Sequence, residues 1–190
     1  MRTSIFACAA LAGLLAHLPQ AGAATPPPAP KAPAVTDTQT FQDWSVHCVA
    51  QALPPCEMLQ VSQDKAGKLV TRFAIAYLPR QDRYALQLTV PLGVSLAKGV
   101  RITASDYAAQ ALPYVRCDNS GCYVEGAIEQ GALDKLGHSA AQARLTIASV
   151  DGREINLPLS LRGFSDARSA MDRLAREKMA AAPPPAAKRP

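Results

Sequence analysis

The sequence predicts an all-β protein, an antiparallel β-sandwich of about 8–9 strands with a C-terminal helix. Three observations carry this reading. Apolar residues alternate with polar ones at period two through most of the chain, turn signals separate many of the runs, and no βαβ alternation occurs. The last of these excludes a Rossmann-like fold.

The first segment reads as an export signal. Met1 to Thr3 form a short positive n-region, and the apolar run from Ile5 to Leu18 has the length of a signal-peptide core. A bilayer span would need about 20 apolar residues. Pro19 breaks the run, and Ala21-Gly22-Ala23 supply small residues for cleavage after Ala23, with Ala24 as the alternative. Residues 1–23 are therefore expected to be removed, leaving a periplasmic, surface-associated or secreted protein with no transmembrane anchor. Residues 24–39 and 181–190 are Pro/Ala-rich linker and tail, as in "TPPPAPKAPA" and "AAPPPAAKRP". Such sequence forms extended spacers of about 3.1 Å per residue. They serve as stalks or, more simply, as frayed termini.

Residues 40–163 hold the sandwich. "DWSVHCV" sets Trp44, Val46 and Cys48 on one face, and "RYALQLTV" sets Tyr84, Leu86, Leu88 and Val90 opposite Ala85, Gln87 and Thr89. "CEMLQVSQ", "LVTRFAIAY", "VRITAS", "LPYVRC" and "CYVEGAIE" supply further strands. "ARLTIASV" and "REINLPLSL" are joined by Asp151-Gly152, the pair favoured in a type I′ hairpin turn. "EQGALDKLG" predicts a turn or two of helix. Residues 164–180 predict an amphipathic helix with Ser165 as N-cap and Asp166 in its first turn. Ala167, Ala170, Met171 and Leu174 form its apolar stripe.

Charge narrows the function classes. The net charge is +5, yet between Thr40 and Gly163 twelve basic residues face eleven acidic ones. The excess lies toward the C-terminus, at Arg168, Arg173, Arg176, Lys178, Lys188 and Arg189, so the core carries no basic nucleic-acid face.

Chemistry is sparse. With Cys8 in the signal, Cys48, Cys56, Cys117 and Cys122 remain, an even number in an oxidising compartment, where disulfides are the default. Four cysteines allow three connectivities, and each close pair brackets a turn-like segment that could bring Cα atoms to about 5.5 Å. A zinc site would need two more ligands, and His47 and His138 form no second knuckle. A thioredoxin-like pair would be C-x-x-C opening a helix, whereas "CDNSGC" closes a turn between strands. No G-x-S-x-G, P-loop or H-E-x-x-H occurs. Glu125 and Glu129 would share one strand face, and Trp44 reads as core. No catalytic residue, metal or cofactor is expected, and the chain reads as a non-enzyme.

Five landmarks then stand in order across roughly 40 to 170: "FQDWSVHC", "CEMLQ", "VPLGVSLAKGVRI", "YVRCDNSGCYVEG" and "LPLSLRGFSDA". In this the chain resembles the invasion-associated locus B family of exported bacterial proteins. The resemblance implies an envelope-associated β-sandwich and brings no catalytic residues. It implies structural roles for Phe41 and Trp44 at the first strand and for Pro91, Gly93 and Gly99 in a shaped turn. It also favours the pairings Cys48–Cys56 and Cys117–Cys122. The expected function is non-catalytic binding or assembly, with another envelope protein or a host surface as partner. A carrier or enzyme with a lipid or saccharide pocket inside the sandwich is the alternative.

Overall fold

The computed structural model describes residues 35–49 and 53–181. The signal peptide with Ala23 and Ala24, residues 24–34 of the linker and the tail from 182 lie outside them. The strands are β1 (Val35–Phe41), β2 (Trp44–Val49), β3 (Cys56–Gln63), β4 (Leu69–Leu78), β5 (Arg83–Val90), β6 (Arg101–Thr103), β7 (Arg116–Asp118), β8 (Gly121–Ile128), β9 (Gln142–Ala148) and β10 (Glu154–Ser160). Two helices join them, α1 (Gln130–His138) and α2 (Phe164–Ala181).

All pairings are antiparallel. One sheet has seven strands in the order β1-β2-β3-β4-β5-β8-β7, and the other has three, β10-β9-β6. The period-two pattern is obeyed where one face is buried. Trp44, Val46 and Cys48 of β2 and Tyr84, Leu86, Leu88 and Val90 of β5 point into a common core with Ile102, Leu145, Ile147 and Leu159 of the small sheet. Large side chains fill the space between the layers, with Trp44, Tyr77, Phe73, Phe164 and Met58 all under 2 % exposed. The expected sandwich is present.

Four details differ from the sequence reading. Strand β1 begins at Val35, inside the segment read as linker up to residue 39. Its residues are exposed or half-buried, so no hydrophobic alternation marks it. "LPYVRC" yields only the three-residue β7, although Val115 N–H still donates to Tyr123 O at 2.8 Å. The Asp151-Gly152 turn is not type I′, which needs positive φ at both central residues. Of these two only Gly152 is left-handed, at φ 85°, and its N–H closes a turn onto Ser149 O. That geometry is a type I turn followed by a left-handed glycine, the usual three-residue hairpin loop. Finally, Ser165 is not the cap of α2, because the helix already begins at Phe164; its Oγ donates to Gly137 O of α1 instead.

Helix α2 buries the stripe read from sequence, Ala167, Ala170, Met171 and Leu174, together with Phe164 and Ala175. It packs on β1 to β4. Its other flank is held by polar contacts at the β4–β5 end. Tyr84 Oη donates to Asp172 Oδ2 at 2.7 Å, Arg168 donates to Asp134 of α1 at 2.7 Å, and the Arg168 and Arg176 guanidiniums lie over Tyr84 and Tyr77. Burial, and then the bond to Asp82, pushes Tyr77 up to about 12. Burial also raises the Asp172 carboxyl above its ordinary 3.8, against the lowering pull of Tyr84, Arg168 and Arg176.

A carboxyl whose pKa is higher in the fold holds its proton longer there. Its stabilising contribution is therefore present below about 3.8 and lost as pH rises through the raised value. Asp172→Asn keeps an acceptor for Tyr84 and removes the ionisation. Its melting temperature relative to the parent should thus rise between about pH 3 and pH 7. Thermal unfolding followed by circular dichroism across that range checks it, and a constant difference would contradict the assignment.

Candidate functional site: a loop tip opposite the chain ends

The expected disulfides form as local pairs. Cys48 faces Cys56 across β2–β3, and Cys117 faces Cys122 across β7–β8, with Cα–Cα distances of 4.1 and 4.0 Å. These are shorter than the 5.5 Å expected for a hydrogen-bonded pair, and fit the closer, non-hydrogen-bonded kind. The bond Val49 N–H to Pro55 O, one residue outside Cys48–Cys56, agrees with that register. Phe41, half-buried, ends β1, and Trp44, fully buried, opens β2 across the first turn.

Pro91, Gly93 and Gly99 shape the connection that leaves β5. Val94 is buried and bridges Ser149, Ser95 N–H donates to Ala148 O at 2.8 Å, and Val150 N–H donates to Gly93 O at 3.0 Å. The β5–β6 connection and the β9–β10 turn are thus tied into one unit. Its exposed side chains include three aliphatics, Leu92 at 56 %, Leu96 at 59 % and Val150 at 76 %, beside the charged Lys98, Asp151 and Arg153. Exposure of single aliphatics is ordinary, but several carried on two cross-bonded loops at one end of a sandwich are a candidate binding surface. Gly99 fixes the return of this loop, since a Cβ there would stand 2.5 Å from Leu112 O.

The register places this tip within the molecule. Val90, which pairs with Cys122, ends β5 at the edge where the tip begins. Val35 pairs with Val49 at the other edge of the seven-stranded sheet. There Lys178 Nζ, near the end of α2, lies 2.6 Å from Asp37 Oδ2 of β1. Both ends of the described domain therefore leave from one side, and the aliphatic tip occupies the opposite side.

A polar ladder crosses the outer face of the large sheet. Arg72 bonds Glu57 and Gln87, Gln87 donates to Glu125, and Arg116 bonds Glu125 and Asp118, so one ladder crosses five strands. Arg116 also lies 3.6 Å from the Tyr123 ring centroid. The Ser120 N–H, then Tyr123 and Arg116, hold the Asp118 carboxyl below its usual range. A shallow groove of about 450 Å³ beside this ladder is floored by Ala74, Ala76, Ala85 and Gly126. Glu125 belongs to the ladder, whereas Glu129 lies past β8 as the residue before α1, so the two share no strand face. Among the described residues no group of three or more His, Cys, Asp or Glu stands together as a metal site would. No described helix is long and apolar enough to cross a membrane.

A family model described as Invasion associated locus B (IalB) protein matches residues 44–172. The chain belongs to the IalB family. Invasion protein B homologues of two Brucella abortus strains, 2308 and biovar 1 strain 9-941, are each 27 % identical over 143 residues, covering 74 % of this chain and 80 % of theirs. The crystal structure of invasion associated protein B from Bartonella henselae superposes with a TM-score of 0.65 at 21 % identity. It covers 74 % of this chain and 99 % of that one. At that identity the likeness concerns the fold. The IalB sandwich and its paired cysteines fit a protein folded outside the cytoplasm.

Sequence reasoning found the turn but not the tip. Leu92 and Leu96 stand in "PLGVSLAKG" and Val150 in "SVDG", aliphatics embedded among turn residues where no strand partner covers them. That mismatch was the available signal.

Two outcomes follow. Gly93 and Gly99 both have positive φ, but a Cβ at Gly93 meets nothing within 4 Å. Gly99→Ala should therefore cost more than Gly93→Ala, roughly 2–3 against about 1 kcal/mol, in urea unfolding. Cys117 is exposed while Cys48 and Cys56 are buried. Under mild phosphine reduction, alkylation and mass mapping should therefore find Cys117 and Cys122 labelled first, and labelling of the unreduced protein would contradict the pairing.

Proposed function

We propose that this IalB-family protein is an exported, non-catalytic binding protein of the bacterial envelope that presents its aliphatic tip to another protein. The observation that carries this reading is the placement of Leu92, Leu96 and Val150, exposed on cross-bonded loops at the side opposite both chain exits. The sequence adjoining each exit is Pro/Ala-rich. A domain held from one side engages partners with the other. The filled interior favours surface binding over the carrier alternative, because a ligand carrier needs a concave cavity with convergent polar groups. The names of the Brucella and Bartonella relatives refer to invasion, which supports a host-surface protein as one class of partner. A second envelope protein is the other.

Site-specific photo-crosslinking in intact cells tests the proposal. Benzoylphenylalanine at Leu96 or Val150 should give one recurrent adduct that is absent when the probe replaces Arg83, at the far end of β5. The substitutions Leu96→Asp and Val150→Asp should remove the adduct obtained from Leu92 while moving the melting temperature by less than about 2 °C, since surface changes stay within about 0.5 kcal/mol. Adducts from Arg83 but not from the tip would reject the reading. Adducts to lipid alone would replace the protein partner with a membrane surface.

A further inference from the structure

The outward face of the three-stranded sheet carries an arginine set among neutral polar side chains. On the large sheet Arg72 and Arg116, the two arginines of the polar ladder, are saturated by carboxylates and an amide, while Arg83 stands exposed at the far end of β5. On the small sheet Arg101 is paired with Glu154, and Thr146 with Asn156 Oδ1. The next outward row along β9 carries Arg144, which faces Thr103 of β6 on one side and Pro158 of β10 on the other. Neither neighbour supplies an acid. Among the described residues, the side chains of Arg144, Thr103 and Gln142 make no hydrogen bond or ion pair with another side chain, and Arg144 and Gln142 are exposed.

These three side chains line a cleft of about 450 Å³, together with Asn156 and Ser105. No carboxylate is among its lining residues, and no aromatic ring either. Successive outward residues on a strand stand roughly 7 Å apart, so Gln142, Arg144 and Thr146 form a row of polar groups rather than one point. Asn156 spends its carbonyl on Thr146 and keeps its amide N–H groups free to donate. Ser105 is already committed, to Asp106 and to the Ala140 N–H.

The chemistry of the missing ligand follows from this set. An arginine without a counter-charge recognises an oxyanion, with the fork geometry suited to a carboxylate. The flanking hydroxyl and amides are neutral donors and acceptors, suited to hydroxyl groups. A neutral sugar would lack an aromatic platform here, and a bare inorganic anion would leave Thr103, Gln142 and Asn156 unused. We infer that this cleft binds a carboxylated saccharide, its carboxylate on Arg144 and its hydroxyls on Thr103, Gln142 and Asn156. The site is separate from the aliphatic tip, and its test does not depend on the tip's partner.

The full mature chain is titrated with polygalacturonate, with dextran as the neutral control and dextran sulfate as the control for charge alone. Amide chemical-shift changes and calorimetry are the readouts. Polygalacturonate should shift residues around 103, 142–146 and 156, and dextran should not. Arg144→Ala should weaken binding by about tenfold or more, the usual loss for a hydrogen-bonded charge, whereas Arg83→Ala, at the far edge of the large sheet, should leave it unchanged. Arg144 is an outward residue, so both variants should melt with the parent. Binding that survives Arg144→Ala, or shifts centred elsewhere, would overturn the site. Dextran sulfate binding with equal affinity and equal dependence on Arg144 would overturn the carboxylate assignment in favour of nonspecific polyanion attraction.

Discussion

The Trp44 indole is the point at which every layer of this protein meets. It belongs to β2 of the large sheet, and its ring stands edge-on to Phe73 of β4 at 5.9 Å and to Phe164 of α2 at 5.1 Å. Its Nε1–H donates to Ser160 O of β10 at 2.9 Å. Gln60 of β3 closes the same junction, since its amide donates to Ser160 O and its carbonyl accepts from the Ser160 N–H. A buried tryptophan must satisfy its N–H, and here that requirement fixes where the small sheet crosses the large one. Truncation of a fully buried tryptophan costs about 3–5 kcal/mol, a large share of the stability of a domain this size. The helix, the small sheet and the tip carried on its β9–β10 turn all take their position from this contact.

The two disulfides reinforce the large sheet away from that junction. Cys48–Cys56 lies inside the core near the chain exits, and Cys117–Cys122 ties the three-residue β7 to β8 near the tip. So short a strand has few ladder bonds of its own. The bridge and the Arg116 contacts hold it in register, and as an edge strand it is too short to template pairing with another chain. The individual surface ion pairs of the outer ladder contribute little stability each. Their collective effect is to pair the charges at the centre of that face with one another, whereas Arg144 on the other sheet has only Thr103 and Pro158 as cross-strand neighbours.

Much of this architecture was legible in the residues because burial writes a period into them. Strands β2, β5 and β9 each bury alternate side chains, and α2 buries a stripe at helical spacing, so both kinds of element announce themselves. Strand β1 does not, because both of its faces are largely wet and its Thr-rich polar sequence resembles the linker before it. Ser165 looked like a cap for a local reason, but the tertiary contact with Gly137 claims its hydroxyl. The cysteine pairing followed from family likeness and local turns. The tip and the Arg144 cleft were invisible in the chain, because exposure and the lack of a partner are properties of what packs nearby.

One helix also settles how this domain can be joined to others. Helix α2 starts beside the first turn, with Phe164 against Trp44, and runs about 21 Å back to Lys178 at Asp37 of β1. It returns the chain to where the domain began. A fold whose two ends meet behaves like a bead on a loop: it can be spliced into a surface turn of a host protein without prising the host apart. Its own ends can equally be fused and the chain reopened at an exposed turn, giving a circular permutant with the same core.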